Sequence, residues 1–506
     1  MLVWFVVIYL LISIGIGLYA ATRVHNAKDF AVAGRSLPLP VVTATVFATW
    51  FGAEAVFGVS ATFVKDGLRG VVADPFGASL CLIIAGIFYG TKLYKLNVLT
   101  LGDFFRLRYN RSVEVLTTLC IVASYLGWVS AQIKALGLVF NVVTGGAIAQ
   151  PAGMILGAAI VLTYTTFGGM LSVAILDFVQ MGVVMGGMLY IGSIVAGMTG
   201  GVDAVIGQAS AAGKLDFFPE ANAAQWLAFL GAWLTMMLGS IPQQDVFQRV
   251  TSAKSAKIAI AASILGGVLY FCFTFVPMFI AYSATLIDPG QFNALIQSDS
   301  QLVLPTLVLQ HTPLFAQAIF FGAVLSAIMS CSSATLLAPS VAFSENILRA
   351  FFPGIGDHAF LRLMRITIVC FTLLVLVFAL NTNASIFKMV ENAYKVTLAG
   401  AFVPLFLGAY WRRATTQGAL AAIFGGLLAW LLVEALVVDS LVPAQLVGLG
   451  VSLLGMVGGS LLPQWVGRPA PGAEPHAGSG TEGLAGRAAH RAAAETHHTA
   501  TTKHRH

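Results

Sequence analysis

Apolar runs of about 20 residues follow one another along nearly the whole chain, separated by short stretches that gather Arg, Lys, Gly and Pro. A helix rises 1.5 Å per residue, so each run is long enough to cross the ~30 Å hydrocarbon core of a bilayer. Strands of a membrane barrel would alternate apolar and polar residues over segments of about 10, and these runs do not alternate. The pattern predicts an all-α polytopic membrane protein with thirteen transmembrane helices. They fall at about 2–21, 38–64, 72–91, 113–144, 148–167, 170–197, 223–248, 258–286, 312–345, 361–381, 385–410, 415–438 and 443–463. Composition excludes a soluble globule: of 506 residues, 58% are hydrophobic and 9% charged, whereas a solvated surface needs roughly 25% charged residues. The first run begins at Leu2 with no basic segment before it and no small-residue cleavage site after it. It reads as a retained span rather than a signal peptide.

Charge sets the expected orientation. Arg23, Lys28 and Arg35 follow the first span; Lys92, Lys95, Arg106, Arg108 and Arg111 the third; Arg249, Lys254 and Lys257 the seventh. Arg349, Arg362 and Arg365 follow the ninth, and Arg412 and Arg413 the eleventh, whereas the alternate loops hold Lys65, Arg69, Lys214 and Lys388. The positive-inside rule then places the N-terminus outside and the C-terminus inside, in a cell inner (cytoplasmic) membrane. These loops account for the net charge of +6 without a nucleic-acid partner. The five cysteines lie in apolar runs without CxxC spacing, which indicates neither a disulfide framework nor a zinc site. Residues 464–506, rich in Ala, Gly, Thr and His, read as a disordered cytoplasmic tail. Its histidines could bind metal loosely, but a solvated low-complexity tail is the simpler reading, and the segment is too short for a signalling domain.

A charged side chain at mid-membrane costs roughly 2.5–3.5 kcal/mol even on a lenient scale, so Glu54, Asp74, Lys134, Asp177, Asp245, Glu391 and Lys395 need explanation. Glu391 and Lys395, four apart, are expected to neutralise one another, and Lys134 serves as a counter-ion to the carboxylates. Two spans look broken: the second at TWFGAEA (49–55), the seventh at GSIPQQD (239–245), where Pro242 removes a backbone donor. Irregular backbone at this depth must face protein or a watery cavity. Two such spans, five apart, are what an inverted five-helix repeat places around a central site. In the ninth span SAIMSCSSAT (326–335) sets Ser326, Ser330 and Ser333 on one stripe. Such serines either let helices approach closely or supply oxygen ligands to a hard cation.

Four stretches resemble the sodium/solute symporter family, which includes proline, sugar, choline and pantothenate symporters. They are KDFAVAGRS (28–36), YTTFGGMLSVAILDFVQ (164–180), QRVTSAKS (248–255), and AIMSC (327–331) followed by SENI (344–347). The likeness runs from about residue 1 to 463, and the seventh and ninth spans look closest to choline transporters. It implies a LeuT-type core of two inverted repeats at 38–197 and 198–411. Residues 1–37 would form an extra helix and loop, and 412–463 two C-terminal helices. It also implies a sodium site built from the carbonyls of Ala48, Phe51 and Ala327 with the side chains of Ser330 and Cys331. Cys331 departs from the usual second hydroxyl and is a poor sodium ligand, so Ser332 or Ser333 would substitute or the site would be weaker. Leu176 replaces the threonine usual before Asp177. Asp177, Gln180, Lys134 and Ser333 are implied in coupling or gating.

The resemblance puts Trp50, Glu54, Asp74, Gln243 and Asp245 around the substrate. Gln243 stands where choline-like relatives carry an aromatic, leaving Trp50 for a cation–π contact. Three carboxylates against one lysine favour an amine-bearing, cationic or zwitterionic solute of choline, amino-acid or polyamine type. The expectation is sodium-coupled symport by alternating access, with Na⁺ as coupling ion, no organic cofactor and no enzymatic activity. The partners are a small organic solute and the lipid bilayer, and a monomer suffices. Proton-coupled symport on the same fold, and a solute sensor or passive channel on a transporter scaffold, are the competing readings.

Overall fold

The structure, a computed structural model, describes residues 1–22, 26–220, 222–437 and 440–466. Arg23 of the first basic loop and the tail from 467 onward lie outside the described residues. Among those described, ten helices are long and apolar enough to cross a membrane, or twelve when each of two bent pairs counts as one span. They are labelled α1 (Leu2–Ala21), α2 (Leu39–Trp50), α3 (Glu54–Asp66), α4 (Leu68–Lys95), α5 (Arg111–Val143), α6 (Gln150–Met198), α7 (Ala223–Gly239), α8 (Gln244–Ser252) and α9 (Ala256–Ile287). After them come α10 (Leu314–Asn346), α11 (Asp357–Asn381), α12 (Ile386–Tyr410), α13 (Thr416–Leu436) and α14 (Ala444–Leu461).

Both predicted breaks are present. The pair α2/α3 bends by 53° and α7/α8 by 45°. The 49-residue α6 would reach about 74 Å if straight, more than twice the hydrocarbon thickness. It is interrupted at Gly169 (φ 54°, ψ −156°), where a left-handed backbone suits glycine. A side chain there would also strike Phe30, 2.6 Å from its carbonyl oxygen and ring.

The serine-bearing α10 is the axis of the protein. Every residue from Phe320 to Ala342 is buried, and α5, α6, α2 and α11 pack around it. By contrast α11 and α13 keep Ile366, Leu373, Val377, Phe424 and Leu428 exposed, a surface suited to lipid tails.

Sequence-distant stretches meet at the side that carries the basic loops. Leu37 donates to the Ser252 carbonyl and accepts from Lys254, both at 3.0 Å, in an isolated parallel bridge. Asn346, at the end of α10, donates to Asp103 (3.2 Å) and Glu114 (2.9 Å) and accepts from Thr100 (2.7 Å), while Gln244 accepts from Leu101 N–H at 2.8 Å. Three of the four stretches that carried the resemblance, at 28–36, 164–180 and 248–255, thus abut through Phe30, Gly169 and the bridge. The fourth supplies Asn346. Together they seal this side.

Candidate functional site

At the first break, Gly52 N–H turns to the Trp50 carbonyl at 3.0 Å instead of the Ala48 carbonyl four residues back. Ala53 N–H goes to Gln132 Oε1 of α5 at 2.8 Å. The Ala48 carbonyl, released from its helical donor, accepts from Ser330 Oγ of α10 at 3.1 Å. Ser330 lies closer still to Asp177 of α6, Oγ to Oδ1 2.5 Å, and the other Asp177 oxygen accepts from Thr45 of α2. Three helices thus bring a freed carbonyl, two hydroxyls and a carboxylate to one fully buried point. Ser333 donates to the Ser330 carbonyl at 2.9 Å and Tyr164 to the Met329 carbonyl at 2.8 Å, which brace the α10 stripe. This donor set is all oxygen, suited to a hard cation.

Cys331 of α10 meets the break itself. Its side chain abuts Gly52: a β-carbon at that glycine would sit 2.7 Å from Cys331 Cβ, 2.8 Å from Sγ and 2.7 Å from Gln132 Oε1. Overpacking of this kind costs about 1–3 kcal/mol. Gly52→Ala is expected to lower the melting temperature of the purified protein and to impair transport; unchanged melting and uptake would show that the break tolerates a side chain.

A second centre lies alongside, around Asp245 at the start of α8. Its carboxylate accepts from Trp50 Nε1 at 3.2 Å and from Tyr125 of α5, whose hydroxyl in turn accepts from Asp245 N–H at 2.9 Å. Trp50, Trp128 of α5 and Tyr394 of α12 stand with ring centroids 5.4, 5.7 and 6.3 Å apart, Trp50 and Tyr394 within 5° of parallel. All three are buried, and the Trp128 Nε1 and Tyr394 hydroxyl find no hydrogen-bond partner among the described residues. Beyond them Tyr270 of α9 donates to Asp74 at 2.6 Å, and the Glu54 carboxylate has no hydrogen-bond or ion-pair partner among the described residues.

The electrostatic balance is one-sided. Glu54, Asp74, Asp177 and Asp245 are buried, yet among the described residues none has a Lys, Arg or His nitrogen within 4.0 Å of its carboxylate oxygens. Arg249 is the buried cation nearby. Its Nε donates to Thr49 at 3.0 Å and its Nη1 only weakly to the Asp245 carbonyl at 3.4 Å, while Nη2 has no partner among the described residues. An isolated buried carboxylate is costly. Of the four, Asp177 and Asp245 lie near that guanidinium, and Glu54 and Asp74 lie near one another.

Residues 30–426 match the sodium:solute symporter family. The chain belongs to that family. It is 26% identical over 446 residues to the high-affinity choline transporter 1 of Caenorhabditis elegans, covering 84% of this chain and 76% of that one. With the osmoregulated proline transporter OpuE of Bacillus subtilis it shares 24% over 480 residues, 92% and 94% of the two chains. Its backbone superposes on a substrate-bound, outward-open Na⁺-coupled sialic acid symporter with a TM-score of 0.79 at 17% identity, covering 91% and 97%. That likeness shows the LeuT-type fold, and the family is one of multi-pass membrane transporters.

Within this symporter the expected site residues divide. Ala48, Ser330 and Asp177 converge, with Ser333 behind them; Phe51, at the end of α2 (φ −83°, ψ 74°), leaves the helix with its carbonyl unused by any backbone donor among the described residues. Ala327 lies one turn before Ser330 on α10. Trp50 and Asp245 meet at the aromatic cluster, Glu54 lies near Tyr394 and Asp74 is held by Tyr270, but Gln243 is not free to join them. Its amide is tied to Ser124 (2.9 Å) and Thr397 (3.4 Å). Gln180 is buried with both amide ends unpaired among the described residues. Lys134 lies away from all of these, donating to the Ala384 carbonyl at 2.6 Å and lining a polar cavity of about 420 Å³ with Lys65 and Asp299.

One expectation is corrected. Glu391 does not pair with Lys395: Lys388 holds Glu391 at 2.6 Å, and Lys395 reaches Glu434 of α13 at 3.3 Å. On α12 the i, i+3 neighbour won, because Lys395 is turned toward the packed C-terminal helices. Sequence reasoning also missed Trp128, Tyr394, Tyr125, Thr45 and Arg249. Arg249 stands one residue past the expected seventh span (223–248) and reads with the loop, whereas the structure buries it within α8. The aromatics carry no local signal, since such residues are common in apolar spans.

Proposed function

We propose that this symporter takes up a small organic ammonium cation, of choline type, driven by sodium. The single observation that carries the reading is the cluster of Trp50, Trp128 and Tyr394, whose rings pack on one another beside an Asp245 that is hydrogen-bonded to Trp50. A cation over aromatic faces gains ~2 kcal/mol when desolvated, and a carboxylate fixed by Trp50 Nε1 and Tyr125 supplies the opposite charge. The aromatic that Gln243 denies to the site comes instead from α5 and α12. The choline-transporter relatives support the same class.

Sodium binds between α2 and α10 at the Ala48 carbonyl, Ser330 and Asp177, with the Phe51 and Ala327 carbonyls completing the shell and Ser333, Gln180 and Lys134 assisting coupling or gating. It replaces the hydrogen bonds that now close Ser330 onto Asp177. That fixes the break in α2 and, two residues on from Ala48, orients Trp50 for the solute. Each positive charge moved inward gains ~2.3 kcal/mol per 100 mV, enough for roughly fiftyfold accumulation per charge. The architecture behind this cycle is thirteen spans, with α6 crossing twice at Gly169, repeats at 38–197 and 198–411, and the N-terminus outside an inner membrane. The chain has no enzymatic role.

The test is thermal unfolding of the purified protein with choline, proline, glucose and sialic acid, each with and without sodium. Stabilisation by choline that requires sodium is expected; stabilisation by a neutral or anionic solute alone would refute the assignment. Cys331→Ser adds a hydroxyl near the ion and is expected to lower the sodium concentration for half-maximal uptake about threefold. An unchanged or raised value would remove position 331 from the ion's surroundings.

A further inference from the structure

On the side away from the basic loops a cavity of about 430 Å³ opens between α4, α7 and α12, lined among others by Arg69, Ala73, Phe229, Phe387, Lys388 and Glu391. Its floor leads to the transport site by three routes of chain. Ala73 precedes the buried Asp74. The backbone of Phe387 abuts Gly58 of α3, where a β-carbon would lie 3.3 Å from its nitrogen. Glu391 lies three residues before Tyr394, and so on the same face of α12, one turn out from the aromatic enclosure.

Within this cavity Glu391 and Lys388 form an unequal pair. The Nζ–Oε2 distance is 2.6 Å, but the Glu391 side chain is 12% exposed and that of Lys388 62%. The acceptor is fixed in the wall, while the ammonium arrives from the solvent side on a flexible stem and can return to water at little cost. Arg69, the other cation of the lining, is already turned toward Asp216 and Glu220 at 3.8 and 4.0 Å.

We infer that this vestibule is a loading site for the ammonium solute, with Glu391 as its acceptor and Lys388 as a built-in competitor. The inference rests on the proposed function for its solute class. The Lys388 ammonium occupies the place a solute ammonium takes on arrival, and the cavity has the size of small-molecule sites. A cation that displaces Lys388 is held one helical turn above Tyr394 until the enclosure opens. Displacement also leaves Lys388 free over the mouth, where its charge opposes return of the solute.

The two partners must then act with opposite sign. In proteoliposomes of the full chain with radiolabelled choline as probe and a fixed sodium gradient, Glu391→Gln is expected to raise KM about fivefold, the value of a partly exposed ion pair. Lys388→Met is expected to lower it about threefold. Glu391→Asp, which keeps the charge, falls between wild type and Glu391→Gln, and supplies the comparison if the amide variant does not fold. A purely structural salt bridge would shift KM in the same direction, or not at all, for both partners, and that result overturns the loading site. If the wild-type chain takes up no choline, the shared solute reading falls; if it does and the signs agree, only the vestibule falls.

Discussion

Asp177→Asn is expected to abolish sodium-driven accumulation while leaving a folded protein. Asp177 brings a carboxylate to the α2–α10 junction, and both of its oxygens already engage the hydroxyls of Thr45 and Ser330. An asparagine keeps the size and one acceptor but removes the charge and turns a donor toward those hydroxyls. Removing one partner of a buried charge pair costs 2–5 kcal/mol, so the sodium requirement should rise on the order of a hundredfold. Ser330→Ala, which deletes a neutral ligand, should cost about tenfold by the same scale. The measurement is the sodium dependence of solute uptake in proteoliposomes, with thermal unfolding as the control for folding. Retained sodium dependence in Asp177→Asn, at wild-type concentrations, would remove Asp177 from the ion site.

The second large effect concerns the solute. Asp245→Asn leaves the Trp50 and Tyr125 donors in place but removes the charge they orient, and is expected to weaken choline binding on the order of a hundredfold, about 2.7 kcal/mol. Trp50→Leu removes a ring face and should cost about thirtyfold, near the ~2 kcal/mol of a desolvated cation–π contact. The informative comparison is with sodium binding alone, read by intrinsic fluorescence of the remaining tryptophans. Asp245→Asn should leave it near wild type, since the ion contacts lie on Ser330, Asp177 and Ala48. Equal losses of sodium and solute binding would mean that the two centres are one.

The reach of the sequence follows physical lines. Helices, breaks and the serine stripe were legible because hydrocarbon enforces continuous apolar runs, and every polar or helix-breaking residue stands out against them. Gly52, Pro242, Ser330 and Asp177 could be singled out for that reason. The enclosure was not legible. Nothing in the local sequence marks Trp128 or Tyr394, and only tertiary packing brings them to Trp50. The pairing of Glu391 failed for a related reason: spacing offered Lys388 and Lys395 alike, and the choice rests on where α12 faces α13. Arg249 was visible as a residue but not as a buried one, because the boundary of a short second half-helix is set by packing rather than by pattern.

The central claim is that a sodium ion held at Ser330, Asp177 and the Ala48 carbonyl drives an organic cation through the neighbouring aromatic site. Its most direct measure is choline uptake into sealed proteoliposomes at constant pH and membrane potential, with an inward sodium gradient imposed and then collapsed. Accumulation that appears with the gradient, vanishes when it is collapsed, and is lost in Ser330→Ala at the same sodium concentration is the predicted result. Accumulation that follows an imposed proton gradient and ignores sodium would contradict it.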